Sequence, residues 1–332
     1  METKKRILTG DTPTGKLHLG HFVGTLENRV RLQEEYNTFI ILADLHALTT
    51  LVEDPKKVAE STFQVALDNL AVGLDPTKVT IFVESEVPEI YELAAIFSML
   101  VSHNRALRNP TIKDEIKSKG LGDKYSLGFV NYPIYQVADI LGVRGTLVPV
   151  GEDQLPHLEQ TNEVVRRFNH LYGETFEEIE GLVGRVARLP GTDGNPKMGK
   201  SLGNCIYLSD SEEELKKKIM GMYTDPNRIH PTDPGTVEGN PVFVYHDAFN
   251  PNKEEVNDLK DRYKKGQVGD VEVKEKLFVA LNDFLGPIRE RRAEYENDPE
   301  KVKEILRKGS EKTRTEVQKV LKDVKEAMSL TL

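Results

Sequence analysis

The strongest constraint on this chain is an alternation of strand-like and helix-like runs over its first 205 or so residues. KRILT reads as a short strand and DTPTG as a turn. LHLGHFVGTLENRVRLQEEY follows with helical spacing, its apolar residues at Leu19, Phe22, Val23, Leu26 and Val30. TFIILAD reads as a buried strand, and DPKKVAESTFQVALDNLAVG as a helix opened by an acid–proline start. KVTIFVES, PEIYELAAIFSMLV and TLVPV continue as strand, helix and strand. Helices of this length between strands predict an α/β fold, a doubly wound parallel (Rossmann-like) sheet. Ligands of such sheets sit at the carboxyl ends of the strands, where DTPTG lies.

After about residue 205 the pattern changes. SDSEEELKKKIMGMY opens with capping residues and acids, and from Val256 onward nearly everything has helical periodicity. The expected organisation is an α/β catalytic domain over residues 1–205 and a helical domain over 206–332. The one cysteine, Cys205, excludes an internal disulfide and any multi-cysteine zinc or iron–sulfur site. METKKRILTG has no signal-like apolar run, and no stretch nears the roughly 18 apolar residues of a membrane span, so a cytoplasmic protein is expected. The net charge of −9 argues against wholesale nucleic-acid binding, but it is uneven: −10 over residues 1–252 and +1 over 253–332. The basic cluster Arg289, Arg291 and Arg292 fits either a solvated helical surface or a face that approaches a polyanion.

GNPKMGKS, residues 194–201, matches the phosphate-cradling pattern G-x-x-x-x-G-K-[ST]. A true loop of that kind opens directly into a helix. Here Gly203 and Asn204 would break one at once, and CIYLSD beyond them looks extended, so the match is read as accidental. Lys197, Lys200 and Ser201 then need another role. PTGKLHLGH supplies it, with His18 and His21 three apart at the start of the first helix and both imidazoles on one side of its first turn. A helix start favours anions, and ring N–H groups there suit charge developing on a phosphate. Gly20, without a Cβ, would let a flat group such as adenine approach the backbone. No third metal ligand stands nearby.

HLGH after a Pro-Thr-Gly turn, paired with KMGKS, resembles the class I aminoacyl-tRNA synthetases. Leu19 and Gly199 depart mildly from the usual Ile and Ser of those motifs. The resemblance implies that both motifs hold ATP while an amino-acid carboxylate attacks the α-phosphorus and pyrophosphate leaves. The aminoacyl group then passes to the terminal ribose of tRNA.

A third segment, NYPIYQVADILG, puts Tyr132, Gln136 and Asp139 at i, i+4 and i+7 on one face of a helix expected to start near Pro133. An acid on an apolar face needs a donor, either an internal partner or a substrate N–H or O–H. LVPVGEDQLPHLEQT and DLHALTT resemble the tryptophanyl branch of the family. Leu8 also stands where tyrosyl members commonly carry a tyrosine. The tryptophanyl resemblance spans essentially the whole chain and implies roles for individual residues. His18, His21, Lys197 and Lys200 would be catalytic. Thr12, where many relatives have Gln, would lie beside ATP with Pro13, Thr14, Gly20, Gly151, Glu152, Asp153 and Val186. Met198, Gly199 and Ser201 of the second motif complete that set. Asp139, Tyr132, Gln136 (Met in many bacterial relatives), Gln154 and His46 would hold tryptophan. The resemblance further implies Mg²⁺ arriving with ATP and no metal bound by the protein itself. It also implies a homodimer, and a helical domain that reads the anticodon of tRNA(Trp). The rival readings are a tyrosyl enzyme, a nucleotidyltransferase of the same superfold, and a non-catalytic paralogue.

Overall fold

The computed structural model describes residues 5–118, 120–122, 124–151, 154–183, 189–196, 198–226, 228–230 and 232–331. Five strands, β1 (Arg6–Asp11), β2 (Asn37–Leu42), β3 (Val79–Val83), β4 (Leu147–Val150) and β5 (Glu180–Val183), form one parallel sheet in the order β3-β2-β1-β4-β5. The apolar run of β2 is buried on both faces, as a central parallel strand requires. Phe39 and Ile41 enter one core, and Ile40 and Leu42 enter the other. The sequence pattern did not reveal β5, since the four residues EGLV are an edge strand that stays partly exposed.

The first helical stretch comprises α1 (Leu19–His21), a π-helical stretch Phe22–Leu26, and α2 (Glu27–Leu32). Then come α3 (Asp44–Leu51), α4 (Pro55–Ala71), α5 (Glu89–Ser98), α6 (His103–Leu107) and α7 (Pro110–Ser118). The helix bearing Asp139, α8 (Leu127–Gly142), begins six residues before the expected start at Pro133. Ser126 caps it by accepting from the Phe129 amide at 3.1 Å, so Pro133 lies inside. A proline there forfeits one helical bond. The apolar face that α8 buries against α5 and α9 (Leu155–Tyr172) outweighs that loss.

Beyond the sheet lie α10 (Glu212–Met220), α11 (Pro241–Phe249), α12 (Lys253–Lys264), α13 (Asp270–Glu296) and α14 (Pro299–Ala327). Helix α13 packs on α4, and one core runs unbroken from Leu17, Ile40 and Val65 into Leu277, Leu281 and Val302. Helix α14 crosses the edge of β3, with Val302 in that core and Val317, Val320, Leu321 and Val324 in the one across the sheet. At the crossing, Ser310 Oγ accepts from the Val83 amide at 3.2 Å, and Lys312 Nζ donates to Thr80 Oγ1 at 2.8 Å. A Cβ on Gly309 would lie 1.8 Å from the Ile81 carbonyl oxygen, so only glycine lets the helix come this close. The basic cluster is not a polyanion-facing surface, because its cations turn inward. Arg289 donates to Asn282, Arg291 to the Ala71 carbonyl at 2.7 Å, and Arg292 to Asp68.

Candidate active site

The two motifs, nearly two hundred residues apart in sequence, meet through backbone pairing. Leu19 N donates to Ile206 O at 3.0 Å and Leu208 N to Leu17 O at 3.1 Å, so the segment after KMGKS lies against the one that opens HLGH. Lys200 Nζ thereby reaches Gly15 O at 2.8 Å and Thr14 Oγ1 at 3.4 Å. Lys200 to Leu202 form a single 3-10 turn that ends in Gly203 at φ +67, and α10 begins only at Glu212 instead of opening directly from the loop, which disposes of the phosphate-loop pattern. The loop ahead of it is tied down more firmly than its glycines suggest. Asn204 accepts from the Gly199 amide at 2.9 Å and donates to Asp193 at 2.9 Å, while Gly191 N bonds Asn195 O at 2.8 Å.

His18 caps α1. Its Nδ1 accepts from the Gly20 amide at 3.1 Å, and its own amide donates to His21 Nδ1 at 3.2 Å. With both Nδ1 atoms accepting, the ring protons sit on Nε2. The rings lie 3.9 Å apart. Burial, with the neighbouring His21 and Lys200 charges, lowers His18 to about 2. Burial and Lys200 lower His21 to about 4. Both are neutral donors at neutral pH. A Cβ at Gly20 would press 2.9 Å from the His18 ring, so this glycine is needed by the histidine itself. Burial also holds Lys200 below the usual lysine range. These groups, with Ser201 and Lys57, line an open cleft of cations, imidazoles and hydroxyls.

A second cavity of about 240 Å³ opens at the carboxyl ends of β1, β2 and β4, where the strand order reverses. Tyr132, Gln136 and Asp139 all line it, as do Leu8, Thr12, His46, Gly151 and Gln154. Asp139 Oδ1 is buried and has no protein hydrogen-bond partner among the described residues. Burial, reinforced by the nearby Glu84 carboxylate, raises its pKa well above the ordinary carboxylate range. Tyr132 does not point a free hydroxyl at a ligand. Its oxygen lies 3.3 Å from His157 Nε2, and His157 Nδ1 lies 3.0 Å from the Asn109 amide. Burial lowers His157 to about 4, so this relay is neutral. The His46 ring lies 4.4 Å from Tyr132, and its amide donates to the buried Glu84 at 3.2 Å.

Sequence reasoning missed Glu84, His157 and Asn109. His157 is a polar residue on the apolar face of α9, a signal that could have found it, whereas Glu84 directly after β3 and Asn109 in the loop between α6 and α7 stand in no periodic pattern. Pro13 is buried in the turn, and Met198 Sδ would meet a Cβ at Gly20 at 3.4 Å. Lys197, Glu152, Asp153 and Val186 lie outside the described residues.

A parallel sheet that presents a neutral His-x-x-His helix start to a lysine turn, beside a cavity at its switch point, defines a nucleotide-using α/β enzyme. The family model of class I tRNA synthetases (W and Y) matches residues 1–286. The chain belongs to that family. Within it the similarity is to the tryptophan branch. The chain is 51% identical over 336 residues to a Tryptophan–tRNA ligase of Streptococcus pneumoniae, covering 99% of this chain and 98% of the relative. It is 50% identical to one of Clostridium longisporum, over 98% and 97% of the two chains. The crystal structure of tryptophanyl-tRNA synthetase from Campylobacter jejuni complexed with ADP and tryptophan matches at TM-score 0.86 and 33% identity. That match covers 98% of this chain and 99% of that one.

Proposed function

We propose that this protein is a tryptophan–tRNA ligase. It activates L-tryptophan with ATP to tryptophanyl-adenylate and pyrophosphate, then passes tryptophan to the terminal ribose of tRNA(Trp). The observation that carries this reading is the unpartnered Asp139 oxygen inside a cavity that opens beside the His18–His21–Lys200 cleft.

The tryptophan carboxylate attacks the α-phosphorus, a new P–O bond forms, and the bond to the bridging oxygen of pyrophosphate breaks. Such displacements need positioning and charge stabilisation more than covalent help. The Nε2–H groups of His18 and His21 are preset donors for charge on the transferring phosphoryl group. Lys200 exchanges the Gly15 carbonyl for a β or γ oxygen, and Lys197 is assigned the same task. Thr12, Pro13, Thr14, Gly20, Met198, Gly199 and Ser201 frame the nucleotide, together with Gly151, Glu152, Asp153 and Val186. Asp139 accepts the indole N–H, with His46, Tyr132, Gln136 and Gln154 around the substrate. A ribose hydroxyl of tRNA then attacks the activated carbonyl and AMP leaves.

The described cleft residues are histidines, lysines and hydroxyls rather than carboxylates. They suit ATP arriving with Mg²⁺, an ion that would supply further charge neutralisation. Residues 206–332 are assigned to reading the anticodon, and the active species to a cytoplasmic homodimer. Leu8 in the cavity wall favours indole over the phenol of tyrosine, since it offers no hydroxyl partner. ATP–pyrophosphate exchange measured with each of the twenty amino acids tests the reading. Tryptophan should dominate, and tyrosine dominating would overturn it.

A further inference from the structure

The turn that carries HLGH hangs from a buried carboxylate on the face of the sheet opposite the Asp139 cavity. The Leu17 amide, one residue before His18, donates to Asp68 Oδ2 at 2.7 Å. Asp68 sits in the last turn of α4 and is completely buried. Its other oxygen is held by Arg292 Nη1 from α13, which is itself buried. Arg292 also reaches Gln64 with Nη2, and Glu296 with Nε at 3.0 Å. The next residue along α4, Asn69, donates to Asp11 Oδ2 at 3.0 Å, and Asp11 is paired with Arg29 at 2.6 Å. The start of the motif is thus tied, through one carboxylate, to a helix whose Arg292 lies 224 residues beyond Asp68.

A buried ion pair is an inefficient way to add stability, since desolvating two charges offsets most of their attraction. What it does supply is geometry. The Leu17 amide finds its acceptor only where Asp68 is held, and Asp68 stays charged only while Arg292 is docked. We propose that Asp68 and Arg292 are positioning residues for ATP activation: they fix the height of His18 and His21 above the phosphate cleft and make that geometry conditional on the docking of α13. Loss of the Asp68–Arg292 tie therefore slows adenylate formation before any tRNA is present. The inference rests on the reading that the HLGH turn holds ATP.

Burial pushes the Asp68 carboxyl up to about 6, against the pull of Arg292, the Leu17 amide and Lys16, with Asp11 adding to the rise. Removing the Arg292 cation should push it higher still. Below its pKa the carboxyl is neutral and its hold on the Leu17 amide weakens. The acid limb of kcat therefore moves toward neutral pH in Arg292→Ala, which loss of packing alone would not cause.

The test is tryptophan-dependent ATP–pyrophosphate exchange without tRNA, on the full chain. Arg292→Ala should lower kcat by about ten- to a hundredfold, the scale expected of a misplacement of about 1 Å. The KM for tryptophan should stay within about twofold, since its cavity lies across the sheet. Arg292→Lys should recover part of the loss, and Asp68→Asn should fall between. Arg291→Ala, which loses only the bond to Ala71 O, should lower the melting temperature and leave kcat unchanged. If Arg292→Ala melts earlier but turns over at the wild-type rate while folded, or if Arg291→Ala slows turnover equally, the pair is packing and the proposal falls. Should Arg292→Ala not fold, Asp68→Asn and Arg292→Lys decide on the same readouts. Wild-type protein that exchanges only with another amino acid would sink the tryptophan assignment, and the variant ratios would then be read with that amino acid.

Discussion

Asp139 allows activity and stability to be predicted in opposite directions from one side chain. Its Oδ1 is buried without a protein partner, and burial with the Glu84 charge works against ionisation. An orphaned polar group of this kind costs the folded state about 1–3 kcal/mol. Replacing Asp139 with Ala removes that cost, and the vacated space opens into an existing cavity instead of a closed void. The substrate-free melting temperature should therefore hold or rise, by about 2 °C per kcal/mol for a chain of this length. Activity should move the other way. A charge-assisted hydrogen bond is worth about 1.5–3 kcal/mol, so kcat/KM for tryptophan should fall about 10- to 150-fold while ATP binding is nearly unchanged. Asp139→Asn keeps an acceptor oxygen without the charge and should fall less. Because indole N–H favours the ionised carboxylate and the pKa is raised, wild-type kcat/KM should climb with pH, and that slope should vanish in Asp139→Asn. Exchange assays with tryptophan, tyrosine and a benzothiophene analogue, alongside calorimetry without substrates, measure all of this. A site built on an N–H acceptor should reject the analogue by up to about 10⁴-fold. If the analogue is activated as well as tryptophan, or if Asp139→Ala melts several degrees early, Asp139 is a structural residue and the reasoning is refuted.

Three further outcomes are expected. Lys200→Ala should lower kcat and kcat/KM together by about 10²–10³ in pyrophosphate exchange, whereas a rise in the KM for ATP at constant kcat would mean simple ground-state binding. His18, His21, His157 and His246 are all lowered by burial, so the unfolded chain takes up protons first as the medium is acidified. Their contribution to stability is full above about pH 6.5 and is lost as pH falls from there toward 4, and for His18 toward 2, which denaturant titrations at stepped pH will show. Gly309→Ala, favourable by about 1 kcal/mol in an ordinary helix, should here destabilise by roughly 1–3 kcal/mol through its clash with Ile81 O, and an unchanged denaturation midpoint would contradict the crossing geometry.

Much of the α/β core was legible because its signals are local. Phe39 to Leu42 announce a doubly buried strand, and HLGH lies on the page as four consecutive letters. What could not be read depends on partners far away. Arg292 has the look of a solvated cation in RERR, and Asp68 that of a polar residue breaking an apolar helix face, yet they complete each other. The start of α8 was misplaced because Pro133 is a strong local signal for a helix's first turn and the Ser126 cap a weaker one, while tertiary burial lets the helix run on through the proline. The antiparallel contact of His18 with Tyr207 leaves no periodicity in either segment.

The crossing of β3 by α14 also has a meaning in the order of synthesis. A ribosome delivers the strands of this sheet early, with β3 complete by Val83, but residues 309–310, which seal its outer edge, emerge more than two hundred residues later. Throughout that interval the nascent sheet presents an unsealed strand of high β propensity, the feature most prone to pair with a neighbouring chain. Chains cut short before α14 meet that hazard permanently, so premature termination anywhere between KMGKS and Pro299 yields a protein that holds both motifs and still tends to aggregate.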